Sequence, residues 1–365
     1  MADDAVQPRP GVPLAPLTTL GIGGPADWFV RATSAEEVVA AVRWCRDRDL
    51  SLFVLGGGSN LVIADAGVSA LVLQVAIKGV DFLRRHTDIL VRVGAGEPWD
   101  GVVAAAIRHG LAGLECLSGI PGSTGGTPVQ NVGAYGQEVS DTITEVEVFD
   151  TATMHMTTLA PAQCRFGYRT SRFKSDDSGR FVVCGVQFAL RQGSPTITYP
   201  DVIDYVQRGR ISSPTLDDVR QAVLSIRRGK GMVIDETDPD TRSVGSFFVN
   251  PVVTTAVHAG LEAAMNGAVP GFRMPHDRIK LPAAWLIEQS GFPRGYQSGP
   301  VGLSTKHPLA VINRGGATAR DVLRLAVQIK RRVADRFGIA LVPEPAFVGF
   351  ADEAEVAYLT GRGGA

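Results

Sequence analysis

Three kinds of segment in this 365-residue chain could do chemistry. The first is Gly56-Gly57-Gly58-Ser59-Asn60, which follows the short apolar run Ser51–Leu55. Consecutive free amides in such a turn form a nest for an anion, and a pyrophosphate is the anion that fits. A tight turn between strands would use the same residues, and no Walker lysine follows, so this is not a P-loop. The second is Ile120–Gly136, in which Gly122, Ser123, Thr124, Gly126, Gln130, Asn131, Gly133 and Ala134 occur without one charged residue. A solvent loop normally carries charge. Glycine with small polar groups suits a neutral wall against a large planar cofactor, where backbone must come close.

The third kind is the single polar residue in an unusual setting. Arg165-Phe166-Gly167-Tyr168-Arg169-Thr170-Ser171 mixes two arginines with aromatics. It could hold a carboxylate or phosphate through a bidentate guanidinium, or be an exposed cationic turn. Ser246 stands between Gly245 and two phenylalanines and could donate a proton; it could equally be a satisfied buried serine. It lacks the G-x-S-x-G elbow, so a nucleophile is a poor reading. Glu344 lies between Pro343 and Pro345, which fix a carboxylate in space for function or for an ion pair. Gly21-x-Gly23-x-x-Ala26 matches a dinucleotide fingerprint, but Pro25 and the lack of a solid preceding strand argue against a Rossmann turn. The six histidines have no metal spacing, and the four cysteines contain no C-x-x-C pair, so neither a metal site nor a disulfide framework is expected.

The elements that must position these residues can be read from periodicity. Ser34-Ala35-Glu36-Glu37 is a capping box opening a helix with Val38, Val42 and Cys45 on one face. Ser51–Leu55, Val68–Val75 and Ile89–Val93 read as strands, and Pro98 opens a helix that Gly110 closes. Gly110–Gly136 shows no period and reads as a long ordered binding loop. Ile143–Phe149 and Arg180–Leu190 alternate like antiparallel strands. Thr215–Arg228 is an amphipathic helix ending at a domain boundary near Gly229. Further helices are expected around Leu281–Ser290 and over Thr318–Phe337, capped by Gly338. Strands are expected near Pro300–Ile312 and at Ile339–Val342, and the last fifteen residues read as a loosely held tail.

Composition is that of an ordinary globular chain, with 45% apolar and 20% charged residues. A formal net charge of −1 supplies no field for nucleic acid or anionic lipid, so a ligand phosphate must be held locally. Met1-Ala2-Asp3-Asp4 is not the start of a signal peptide, and no apolar run is long enough to insert in a membrane, so the expected compartment is the cytoplasm.

Taken together, these segments resemble the UDP-N-acetylenolpyruvoylglucosamine reductases from about Leu17 to Phe350. The likeness rests on Leu55–Leu61, Ile120–Glu138, Cys164–Phe173, Tyr199-Pro200-Asp201, Gly245–Pro251, Trp285–Gln289 and Val342-Pro343-Glu344, in that order along the chain. It implies an α+β protein with a vanillyl-alcohol-oxidase-type FAD-binding fold of two α/β subdomains. These would be residues 8–78 and 79–228, with 339–350 returning to them. A separate α+β substrate domain would follow at 229–338, then a tail at 351–365. Gly56–Asn60 and Gly122–Gly126 would hold the FAD pyrophosphate, and Gln130–Gly136 would flank the flavin. Neither loop contains a histidine, which supports non-covalent FAD.

The family reaction that this resemblance implies uses NADPH as co-substrate and UDP-N-acetylglucosamine enolpyruvate as acceptor, with Ser246 as proton donor. Arg169 and Glu344 would flank the substrate carboxylate. Tyr168, Tyr199, Lys230, Asn250 and Gln289 would bind the rest of the substrate. No metal is implied, and a monomer is expected. An FAD oxidase of the same fold would have no reason for the Ser246 and Glu344 segments. A nucleotide-binding module without chemistry would lack flavin colour.

Overall fold

The computed structural model describes residues 6–85, 88–351 and 353–361. The chain forms two compact units, neither contiguous in sequence. The first takes the chain up to Val12, then Pro25–Gly58 and Val68–Val233. The second takes Pro13–Gly24, Ser59–Gly67 and the chain from Ile234 onward. Residues 13–24 and 59–67, which the sequence reading put in a first FAD subdomain, thus cluster with the C-terminal part.

The first unit begins with a sheet ordered Arg9–Pro13, Pro25–Ala32, Val68–Val75, Leu52–Leu55, in which Val68–Val75 runs parallel to both of its neighbours. Helix α1 (Ala35–Arg46) packs on it, burying Val38, Val42 and Cys45 as their spacing predicts. Ser34 Oγ accepts the Glu37 N–H, but the Glu37 carboxylate turns back to the amide of Thr33. The reciprocal half of the capping box is therefore made one residue early.

A second, antiparallel sheet runs His155–Leu159, Ile143–Asp150, Phe181–Gln192, Asp88–Gly94, Val80–Arg85. Its central strand is buried without a break from Val182 to Phe188. Both faces are covered there, so the alternation expected of a half-exposed strand is replaced by a continuous buried run, Gln187 its one polar member. Helix α2 (Trp99–Arg108) sets Trp99 against Phe188 inside this core. The short helix α3 (Pro161–Cys164) precedes the Arg165–Ser171 segment. Helices α4 (Pro200–Arg208) and α5 (Leu216–Gly229) pack together around Val202, Val219 and Val223. Thr215 and Asp218 form the reciprocal cap that starts α5.

The second unit is built round α8 (Ala319–Phe337), which follows α6 (Thr255–Met265) and α7 (Ala283–Gln289). Thr318 and Asp321 cap α8 at one end, and Gly338, at φ +66°, ends it in the left-handed conformation that glycine adopts readily. The core draws Leu20, Ile22 and Val62 from the two early segments to meet Leu323, Ile329 and Val333 of α8.

Two expectations fail here. Ile339–Val342 is not a strand. The strand lies beyond the prolines, at Ala346–Val348, parallel to Leu61–Ile63. Pro343 and Pro345 have no N–H to give a ladder, so pairing before them is reduced to an isolated bridge between Phe248 and Pro343. Nor is the described part of the tail loose. Helix α9 (Ala354–Thr360) docks on α8 with Leu359 fully buried, and Lys330 Nζ donates to the carbonyls of Tyr358 and Leu359 at 2.8 Å each.

The acidic stretch after Gly231 is pinned within the second unit from its midpoint. Buried Asp240 accepts the Thr305 amide and hydroxyl, and Asp238 pairs with Lys306.

Candidate functional site

In the first unit the two glycine loops meet. A Cβ on Gly57 would lie 2.5 Å from Gly122 Cα, and one on Gly56 would lie 2.7 Å from Ser123 Oγ. Only glycine lets these backbones approach so closely. The second loop is itself held to the start of α2. The Gly122 carbonyl accepts the Trp99 amide at 3.0 Å, and the Thr124 amide and hydroxyl both reach the Glu97 carbonyl. A Cβ on Gly126, in contrast, meets nothing within 4 Å. Glycines that cement the loops at one end and leave open space at the other fit a dinucleotide cofactor.

The wall that follows is held from behind. Asn131, 1% exposed and at φ +45°, donates through Nδ2 to Glu138 and to the Gly167 carbonyl, and its Oδ1 accepts the Ser140 amide. Its side chain therefore clamps the loop. Thr124, fully buried, likewise turns its hydroxyl inward. Glu115, the one acid between Gly110 and Gly136, is fully buried and accepts from Gly113 N–H and Gln137 Nε2. The near-neutral stretch is thus ordered by side-chain bonds to its own backbone.

Arg169 lies across this wall. At φ +55°, its guanidinium donates to the carbonyls of Asn131 and Gly133, and it sits 5.4 Å from the Tyr168 ring centre. Gly133 is a site of close approach, because a Cβ there would come within 3.1 Å of Arg169 Nη1. The arginine is therefore fixed in direction by the segment expected to flank the flavin.

Tyr199 is the N-cap of α4, at the end of the irregular stretch 193–199, with Pro200 in the first turn. Its ring meets Tyr135 edge-on at 5.2 Å. Burial raises the Tyr199 phenol pKa, and the charge of Asp201 adds to that. Lys230, the C-cap of α5, pairs with Asp201 at 3.0 Å and lies 5.7 Å from the Tyr135 ring centre. Tyr199, Lys230 and Gly133–Tyr135 are thus gathered in one place. Tyr135 belongs to that place as well, although in sequence it is only one residue of the wall.

In the second unit, Phe248 bridges Pro343, and the Glu344 amide donates to the Phe247 carbonyl at 2.9 Å. This places Glu344 across from Phe247, one residue along from Ser246. Both side chains are half-buried. Among the described residues, the Ser246 hydroxyl has no hydrogen-bond partner. Asn60 Nδ2 donates to the Glu344 carbonyl at 3.3 Å, tying the end of the first glycine loop to that segment. Asn250 Oδ1 accepts the first amide of α7, from Ala283, at 2.9 Å, and Gln289 is the last residue of the same helix. The carbonyl of Gln289 accepts from Arg336. Ser59, Asn60, Ser246, Asn250, Gln289 and Glu344 therefore belong to the second unit, and the other site residues to the first.

Among the described residues no cluster of His, Cys, Asp or Glu could hold a metal ion, and no helix is long and apolar enough to cross a membrane. The four cysteines are buried thiols.

An FAD-binding domain model matches residues 26–159, over the part of the chain that carries the glycine loops. With the mixed α+β build, this defines the class: an FAD-dependent oxidoreductase. The C-terminal domain of UDP-N-acetylenolpyruvoylglucosamine reductase matches residues 238–348. A UDP-N-acetylenolpyruvoylglucosamine reductase of Thermobifida fusca is 48% identical over 347 residues, covering 93% of this chain and 97% of that protein. One from Mycobacterium tuberculosis is 48% identical over 356 residues, covering 93% and 94%. The crystal structure of the enzyme from Thermus caldophilus superposes with a TM-score of 0.64 at 27% identity, covering 94% and 98%. The chain belongs to the UDP-N-acetylenolpyruvoylglucosamine reductase family.

Proposed function

We propose that the chain reduces the enolpyruvyl ether of UDP-N-acetylglucosamine to UDP-N-acetylmuramate, with NADPH as the electron source and FAD held non-covalently. Bound there, FAD would supply the hydride relay between NADPH and C3 of the enolpyruvyl group. The protein's own work lies around that transfer. Gly56–Gly58 and Gly122–Gly126 offer backbone amides to the pyrophosphate, with Ser59 and Asn60 continuing the first loop.

Hydride addition at C3 pushes negative charge through C2 into the carboxylate. Arg169, fixed by the carbonyls of Asn131 and Gly133, meets that charge as it grows, which stabilises the transition state more than the ground state. Ser246 gives its hydroxyl proton to C2. The carbanion is a strong base, so position matters more than acidity. An ionised carboxylate would repel the enolate, so Glu344 serves as a neutral acid or through a hydrogen bond. Tyr199, Lys230, Asn250 and Gln289 hold the diphosphate and sugar, with Tyr168 beside Arg169. The observation that carries this reading is the half-buried Ser246 hydroxyl, unclaimed by any described residue and next to the Glu344 segment.

The test is anaerobic. NADPH should bleach the flavin band, and the enolpyruvyl UDP-sugar should then restore it with stoichiometric formation of UDP-N-acetylmuramate. A band that stays bleached until air is admitted would point to an oxidase instead.

A further inference from the structure

Arg169 is carried by a tight turn. The Gly167 amide donates to the Thr170 carbonyl at 3.0 Å, and the Thr170 amide returns to the Gly167 carbonyl at 3.2 Å, with Tyr168 and Arg169 between them. Arg169 itself is at φ +55°, in the left-handed region that a residue with a side chain occupies at a cost. Such a conformation persists only where its surroundings over-determine it. The bonds from the guanidinium to the Asn131 and Gly133 carbonyls fix the tip of the side chain, not the backbone beneath it.

That backbone is pinned at both ends. At the near end, Asn131 Nδ2 donates to the Gly167 carbonyl at 3.2 Å. At the far end, the Ser171 hydroxyl donates to the Val129 carbonyl at 2.6 Å. The direction of this second bond is forced, since a carbonyl only accepts. With its one proton committed there, the Ser171 oxygen accepts the Phe173 amide at 3.2 Å. The Arg172 amide reaches the Cys164 carbonyl at 2.9 Å and closes the base of the loop 165–171. Within that loop, residues 165–170 are exposed or half-buried, whereas Ser171 is 1% exposed. Ser171 is thus the buried anchor of the turn, and its acceptor belongs to the same wall whose carbonyls orient the guanidinium.

We propose that Ser171 is a positioning residue for Arg169: by holding the far end of the turn on the Val129 carbonyl, it sets where the guanidinium lies along the wall and so how well a ligand carboxylate fits it. This rests on the reading above, in which Arg169 meets the substrate carboxylate, and it adds the residue that fixes the arginine's backbone. Ser171 is too deeply buried to reach a ligand and acts only through Arg169.

The experiment is calorimetry on the FAD-loaded, oxidised protein without NADPH. Two probes are compared: UDP-N-acetylglucosamine enolpyruvate, and UDP-N-acetylglucosamine, which lacks the carboxylate. Ser171→Ala should weaken the first about tenfold, the size of one hydrogen bond to a charged group, and the second by less than about twofold. In an Arg169→Met background the same change should alter neither affinity by more than about twofold, because the group it works through is gone. Equal losses for the two probes, or an undiminished loss in that background, would make Ser171 a structural residue only and overturn the proposal. Should Ser171→Ala not fold, Ser171→Cys, similar in size but a weaker donor, carries the same comparison. A wild type that binds both probes equally sinks the reading of Arg169 itself. A wild type that prefers the carboxylate, with that preference intact in Ser171→Ala, sinks only the role of Ser171.

Discussion

Gly57→Ala tests the cofactor cradle at its tightest point. The added Cβ would lie 2.5 Å from Gly122 Cα, 2.7 Å from Gly122 C and 2.7 Å from Ser123 N, all backbone that cannot rotate away. Ordinary contact begins near 3.4 Å, so the two loops must part by about 0.9 Å. Overpacking of this kind costs about 1–3 kcal/mol. Misplacing ligand-holding groups by about 1 Å costs on the order of 10² in what they do. The comparison is Gly126→Ala, whose Cβ meets nothing within 4 Å. Stripped of flavin, Gly57→Ala should melt several degrees lower than wild type and Gly126→Ala at the same temperature. Titrated with FAD by fluorescence quenching, both should bind at least tenfold more weakly, because one has a spread cradle and the other an obstructed one. Wild-type FAD affinity in Gly57→Ala would mean the paired loops do not hold the pyrophosphate. The same result in Gly126→Ala would mean the open face at that glycine is not the cofactor's side.

Ser246→Ala should leave NADPH-driven flavin bleaching within about twofold of wild type but slow the substrate-driven return by about 10²–10⁴, the range for a lost general acid; equal slowing of both phases in stopped-flow traces would contradict its role. Arg169→Lys should damage turnover far beyond what retained charge suggests, since one ammonium cannot reproduce the fork set by Asn131 and Gly133; a near-wild-type kcat would refute this. Asp150→Asn should cost about 1–3 kcal/mol at neutral pH, by loss of the paired bonds from Arg180 at 2.7 and 3.0 Å. Arg180 holds the Asp150 carboxyl down at about 2, so the stability it lends is present above the unfolded value near 4 and is lost as pH falls through 2. Acid melts of wild type and variant should converge over that window. Ending the chain at Phe350 should lower the melting temperature, because Leu359 burial is worth about 1.5–3 kcal/mol and Lys330 loses both its carbonyl acceptors; an unchanged melt would mean α9 adds nothing.

What could be read in advance was local. Ser34, Thr215 and Gly338 each mark a helix end through bonds made within a few residues, and all three act where expected. The glycine loops were legible because glycine in a nearly uncharged stretch has few other uses. Helix α4 was missed because Tyr199-Pro200-Asp201 reads as a turn, although proline in the first helical turn is compatible with a start. Helix α6 was missed because its alanine-rich run buries only Leu261 and so has no apolar stripe to detect. The strand at Ala346–Val348 depends on a partner at Leu61–Ile63, far away in sequence.

The backbone passes between the two units at Val12, Gly24, Gly58, Gly67 and Val233, and the second unit's core includes Leu20, Ile22 and Val62 from its early visits. A fragment starting at Ile234 would lack three of its own interior side chains and the strand that pairs with Ala346–Val348. Grafting this half onto a relative is therefore a three-piece operation. A chimera joined only near residue 233 would mix foreign loops into a native interior, and it should misfold even though its junction is well chosen.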